Sequence, residues 1–177
     1  NIEVVMIILG VLLLSLSADG KTLALDTETN GLVEMPTTVT KFRVRYDEKS
    51  GLYLTLANYP SIPMPFPSRN TAPVAGHRNV LALLASPDLV HWKVLDILLS
   101  DRTVMNGVAS ARAHGFQYVM WDWQGEDILY VVREAMGYTK DYHDGRFVTL
   151  YRLASYLPLV KERYAATDFW RNPNRTK

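Results

Sequence analysis

GFQYVMWDWQGEDILYVVREA, residues 115–135, is the stretch whose reading decides the fold. Phe116–Trp123 and Asp127–Glu134 are rich in aromatic and β-branched residues, and the Gln124-Gly125-Glu126 between them is turn chemistry. Such a pair reads as an antiparallel hairpin. A loop over Met136–Gly145 then leads into a third strand, Arg146–Leu153. The same order occurs upstream. Lys41–Tyr46, with Phe42, Val44 and Tyr46 alternating, is followed by a turn at Asp47–Gly51 and an apolar strand Leu52–Asn58. A loop from Tyr59 to Ala75, broken by Pro60, Pro63, Pro65, Pro67 and Pro73, leads to Asn79–Ala85, and Trp92–Leu99 closes the group. Prolines at that density exclude a helix or a central strand.

The two groups are copies of one another with a period of about 70 residues, each a meander that opens on an aromatic-rich strand. Four-stranded antiparallel sheets repeated in this way are the blades of a β-propeller. The sequence therefore predicts an all-β fold, a partial β-propeller of about two to three four-stranded blades. The alternative is a β-sandwich, in which the two meanders pack face to face. Residues 1–157 form the incomplete propeller domain and 158–177 a polar tail, with one short helix at Leu159–Ala166. Asp101–His114 is small and polar and reads as loop.

The apolar run Val4–Leu16 holds about 13 residues, against the ~20 of a spanning helix, so no membrane span is expected. Its leader carries Glu3 and no Lys or Arg, the wrong charge for a signal peptide. It reads instead as two buried strands, Glu3–Ile8 and Val11–Ser17, joined by a turn at Leu9-Gly10, with a degenerate signal or anchor segment as the alternative. Asp19-Gly20 is a second turn, Thr22–Leu25 a short third strand, and Asn30-Gly31 another turn.

Composition excludes several classes of function. With 19 basic and 18 acidic residues the net charge is +1, which argues against gripping nucleic-acid phosphates. Cysteine is absent, so disulfide scaffolds, thiol catalysis and cysteine zinc sites are out. His77, His91 and His114 have no partner at metal spacing, and no Gly-rich phosphate loop or GxSxG is present. No cofactor and no metal are expected.

Ser86-Pro-Asp-Leu-Val-His-Trp92 follows the phrase S-x-D-L-x-x-W. Ser86 and Asp88 are expected to hydrogen-bond the turn backbone while Trp92 covers it from the next strand. With TKFRVRYD (residues 40–47), RNVLAL (78–83), GFQYVMWDW (115–123), GEDILYVVREA (125–135) and YHDGRFVTLYR (142–152), the phrase resembles bacterial sialidase-like, BNR-repeat-like β-propeller proteins, in their C-terminal portion. The resemblance covers residues 3–157 and implies a glycan-directed glycoside hydrolase, with a carbohydrate as partner and a secreted or periplasmic location. It also implies missing blades, or self-association in their place. A non-catalytic carbohydrate-binding propeller and an inactive truncated scaffold are the alternatives.

Polar residues that interrupt apolar strand ends are the site candidates. Glycoside hydrolysis needs a proton donor and a second group that attacks or stabilises the anomeric carbon. In sialidases a tyrosine is the nucleophile, and arginines clamp the substrate carboxylate. On this pattern the candidates for catalysis are Tyr118, Asp122, Glu134 and Asp144. Those for substrate binding are Arg78, Asn79, Gln117, Arg133, His143 and Trp123. Trp121 and Trp123 offer exposed faces for sugar stacking. Strict alternation puts Gln117 and Tyr118 on opposite faces, so one pocket can receive both only if the strand bulges.

Overall fold

The structure is a computed structural model that describes residues 10–25, 31–60, 77–101, 107–137 and 139–171. Two meanders carry it. In the first, β5 (Val44–Asp47), β6 (Leu52–Asn58), β7 (Val80–Ser86) and β8 (Lys93–Ser100) form a four-stranded antiparallel sheet in chain order. In the second, β9 (Gly115–Gln124), β10 (Asp127–Ala135) and β11 (Phe147–Leu153) form a three-stranded antiparallel sheet. Ahead of them, β1 (Gly10–Leu12) pairs with β4 (Leu32–Glu34), and β2 (Leu14–Leu16) pairs with β3 (Leu23–Leu25). Two helices complete the set, α1 (Gly107–Ala113) and α2 (Tyr156–Ala166).

The fold is thus mostly β and antiparallel, as the repeat predicts, and the repeat itself is visible as β5–β6–β7 against β9–β10–β11. Several details differ from the sequence reading. The second meander has three strands, followed by α2 rather than a fourth strand. Gly10 lies inside β1 instead of at a turn, and Val11–Ser17 divides at Leu13 into two short strands with different partners. The expected strand Glu3–Ile8 lies outside the described residues, as do 61–76 of the proline-rich loop. Leu14, Leu16, Leu23 and Leu25 are exposed rather than buried. The stretch read as loop contains α1, because Ala109, Ala111 and Ala113 favour helix and Ser110 and Ala111 bury one side of it. The boundary drawn at 157 falls inside α2, whose Tyr156 and Val160 are buried in the same core as the sheets.

Both faces of the four-stranded sheet are covered. Leu54, Leu56, Leu81 and Leu83 pack on one side against Phe116, Val119, Trp121, Ile128 and Val132 of the second sheet. Ala57, Ala82, Leu84 and Trp92 pack on the other against Val33 and Met35. Continuous apolar runs such as LALLA in β7 are what a sheet buried on both sides requires. Asn58, at the end of β6, joins the two meanders. Its buried Nδ2 donates toward the Arg78 and Val80 carbonyls at 3.2 Å and the Phe116 carbonyl at 2.9 Å. Beside it the Phe116 amide donates to the Arg78 carbonyl at 2.7 Å.

Two polar devices hold one end of the four-stranded sheet. The Ser86–Trp92 turn forms as expected: Asp88 Oδ1 accepts from the Val90 and His91 amides at 2.9 and 2.8 Å, and the Trp92 indole donates to the Leu89 carbonyl at 2.9 Å. At the same end the Tyr156 hydroxyl donates to buried Asp47 at 3.0 Å, and Lys93 donates to the Tyr164 carbonyl at 2.7 Å from between the Tyr164 and Phe169 rings. No helix among the described residues is long and apolar enough to cross a membrane.

Two stability measurements follow from these devices. Burial works to raise the Asp88 pKa, but the amide and ring hydrogen bonds from His91 and Val90 outweigh it and bring it from 3.8 to about 2. A depressed carboxylate stabilises the fold above its unfolded value and ceases to do so as pH falls from ~4 to ~2. The half-exposed site discounts the effect to about 1 kcal/mol. Urea midpoints of the native chain and Asp88→Asn therefore differ at pH 6 and converge at pH 2. Tyr156→Phe leaves an Asp47 oxygen short of a donor in the interior and lowers unfolding free energy by about 1–2 kcal/mol at neutral pH.

Candidate functional site

β9 contains the bulge on which a shared pocket depends. Arg133 pairs with Gln117 and Val131 with Met120, so Tyr118 and Val119 together oppose Val132. The bulge turns on Tyr118, whose φ of 53° lies in the left-handed region that a side chain enters at a cost of about 1 kcal/mol. Val119 stays in the core, whereas Tyr118 emerges 47% exposed on the face opposite it.

Two guanidinium groups flank this ring. Arg78 Cζ lies 5.8 Å from the Tyr118 ring centroid and Arg133 Cζ lies 5.7 Å from it. Arg78 also lies 5.3 Å from the Tyr142 ring. The two arginines reach the site from different elements. Arg78 precedes β7 and bridges to Gly115, while Arg133 stands in β10 across from Gln117.

The segment 139–146 folds over the end of the second sheet and fixes these groups. The Gln117 carboxamide, fully buried, donates to the Tyr142 carbonyl, and Arg133 Nη2 donates to the His143 carbonyl at 2.7 Å. Close approach demands glycine twice. A Cβ at Gly115 would stand 2.7 Å from the Tyr142 carbonyl oxygen, and one at Gly145 would run into the Arg133 side chain. Behind Arg78, buried Asn79 donates to Ser110 Oγ at 2.7 Å, and the buried pair Asp101–His114 meets at 2.6 Å.

Arg78, Gln117, Tyr118, Arg133 and His143 are therefore gathered at one end of β9–β11, with Asn79 as support. The expected acids are elsewhere. Glu134 is 4% exposed on the core face, where it accepts from the Tyr151 hydroxyl at 2.6 Å. Burial, and then the Glu134 carboxylate, push the Tyr151 phenol up to about 12. Tyr130 stacks on Tyr151 at 5.2 Å. Asp122 is taken by Arg45, whose hydrogen bond holds its carboxyl below the usual range. Asp144 is in the folded-over segment, but its Oδ2 accepts from the Lys140 amide at 3.2 Å. Trp123 lies half-buried beneath Arg45 at 4.1 Å, and Trp121 is buried, so the expected pair of exposed indoles is absent.

Sequence reasoning missed Tyr142 and Tyr151. Tyr142 could not be found from strand periodicity because it sits in a loop. Tyr151 shares the core face with Phe147 and Thr149 by alternation, and only the register with β10 reveals its reach to Glu134. Among the described residues no group of three or more His, Asp or Glu side chains could hold a metal. No family model matches the chain, and no curated protein or solved structure matches it.

Replacing Tyr118 separates ligand-facing from packing roles. In Tyr118→Gly the left-handed backbone is relieved while little packing is lost, so the urea midpoint rises by the equivalent of up to ~1 kcal/mol. A fall of that size would instead identify the ring as a packing element.

Proposed function

We propose that the chain is a carbohydrate-recognising part of a sialidase-like β-propeller, and that Arg78, Tyr118 and Arg133 together hold a sugar bearing a carboxylate. The observation that carries this reading is the pair of guanidinium groups 5.8 and 5.7 Å from one exposed phenol ring. A carboxylate accepts paired N–H bonds from such groups, and the phenol face packs against the C–H face of a pyranose. Support for blades comes from the cores on both faces of β5–β8, since a two-layer sandwich would have one.

Recognition is favoured over hydrolysis because two of the three candidate acids turn away from the arginines and the third is used in a turn: Glu134 is on the core face, Asp122 is held by Arg45, and Asp144 accepts from the Lys140 amide. A hydrolase remains the second reading on one observation, the 2.6 Å bond between Tyr151 and Glu134, a tyrosine–carboxylate pair of the kind that sialidase chemistry uses.

Calorimetric titration with sialosides, glucuronides and neutral glycosides tests the first reading. Binding is expected for the carboxylated sugars alone and falls ~10-fold or more in Arg133→Gln. Equal affinity for neutral sugars, unchanged in that variant, overturns it. Release of an aryl leaving group that is lost in Glu134→Gln and kept in Glu126→Gln would establish the hydrolase instead.

A further inference from the structure

Gln117 and Arg133 stand opposite one another on β9 and β10, so their side chains leave the sheet on the same side. Segment 139–146 lies over them as a strap, and each holds one of its carbonyls. Gln117 Nε2 donates to Tyr142, and Arg133 Nη2 donates to His143 at 2.7 Å. The strap is also pinned at both ends. Thr139 Oγ1 donates to the Ala113 carbonyl, and the Arg146 amide donates to the Glu134 carbonyl at 2.7 Å. Glycine at 145 lets the strap lie against the stem and Nε of Arg133.

Two features go beyond packing. Gln117 is fully buried, yet its Oε1 has no hydrogen-bond partner among the described residues. An apolar side chain of the same length would fill the place without leaving that acceptor unpaired, so the bond to the strap accounts for the carboxamide. The second feature is that Arg133 is oriented without being neutralised. Its hydrogen-bond partner is a neutral carbonyl and its ring partner is Tyr118. Among the described residues no carboxylate forms an ion pair with it.

Resting on the sugar reading above, we infer that Gln117 is a positioning residue for the sugar carboxylate. It seats the strap, and the seated strap fixes the Arg133 guanidinium and the Tyr142 ring, which lies 5.3 Å from Arg78. Groups fixed in advance lose less freedom when a ligand arrives, so Gln117 contributes affinity without touching the sugar.

Hydrogen exchange and calorimetric titration of the full chain test this, with Gln117→Met removing the donor at nearly constant volume. With no sugar present, the amides of 139–146 are expected to exchange ~10-fold or more faster than in the native chain, while those of β10 are unchanged. Affinity for a soluble sialoside is expected to fall ~10-fold or more, with a urea midpoint no lower than that of the native chain. Gly145→Ala, which pushes the strap off Arg133 without altering β9, is expected to weaken binding to a similar extent. Native affinity in both variants, or unchanged strap exchange in Gln117→Met, overturns the positioning role and leaves the sugar site standing. A lower urea midpoint with exchange raised equally in the strap and β10 makes Gln117 a packing residue and overturns it as well. A native chain that binds no carboxylated sugar overturns the sugar reading and the positioning role together.

Discussion

A single buried carboxamide decides how the two meanders meet. Asn58 Nδ2 carries two hydrogens, and the carbonyls of Arg78, Val80 and Phe116 surround it. These three oxygens belong to the approach to β7, to β7 itself and to β9. The Arg78 and Val80 oxygens also accept from the Phe116 and Tyr59 amides, so the carboxamide adds a second donor to each and links them to the Phe116 oxygen; leaving its own N–H groups unpaired in the interior would cost ~1–3 kcal/mol. That link brings the start of β9 beside Arg78. The bulge three residues later turns Tyr118 toward the same arginine, and Arg133 follows from the register of β10. The geometry of the candidate site is thus downstream of this junction.

The legible part of the fold was the part written in local chemistry. Aromatic and β-branched runs separated by Gly turns predict β6 through β11 to within a residue or two, since both pattern and turn act over a few residues. α1 was hidden because its small residues lack an apolar stripe; its helical state comes from alanine propensity and a packed side. The N-terminal leucines misled for the opposite reason. Their hydrophobicity suggests burial, yet Leu16 and Leu23 are 60% and 65% exposed. Hydrophobicity states what a side chain prefers, while the neighbours available to cover it are a property of the whole assembly.

The site was partly legible for a related reason. Polar breaks in apolar strands single out Arg78 and Arg133, and the aromatic strand adds Gln117; the fold brings the three near one another. Such breaks cannot say which face a residue takes once a bulge intervenes. Glu134 follows Arg133 directly and so points to the opposite face, where Tyr151 claims it. Asp122 is drawn off by Arg45, which is 77 positions away in the chain and invisible to any local reading.

The bond between Tyr156 and Asp47 spans 109 positions. Its consequence is kinetic. During synthesis β5 and β6 emerge long before α2, and until then the Asp47 carboxylate and the Lys93 ammonium have no interior to occupy. One face of the four-stranded sheet stays uncovered until β9 and β10 are made, and its bonds to Tyr156 and Tyr164 wait for α2. Contacts of that separation slow folding and lengthen the time for which apolar strands stand open to other chains. Consolidation of this core is therefore a late event that depends on α2.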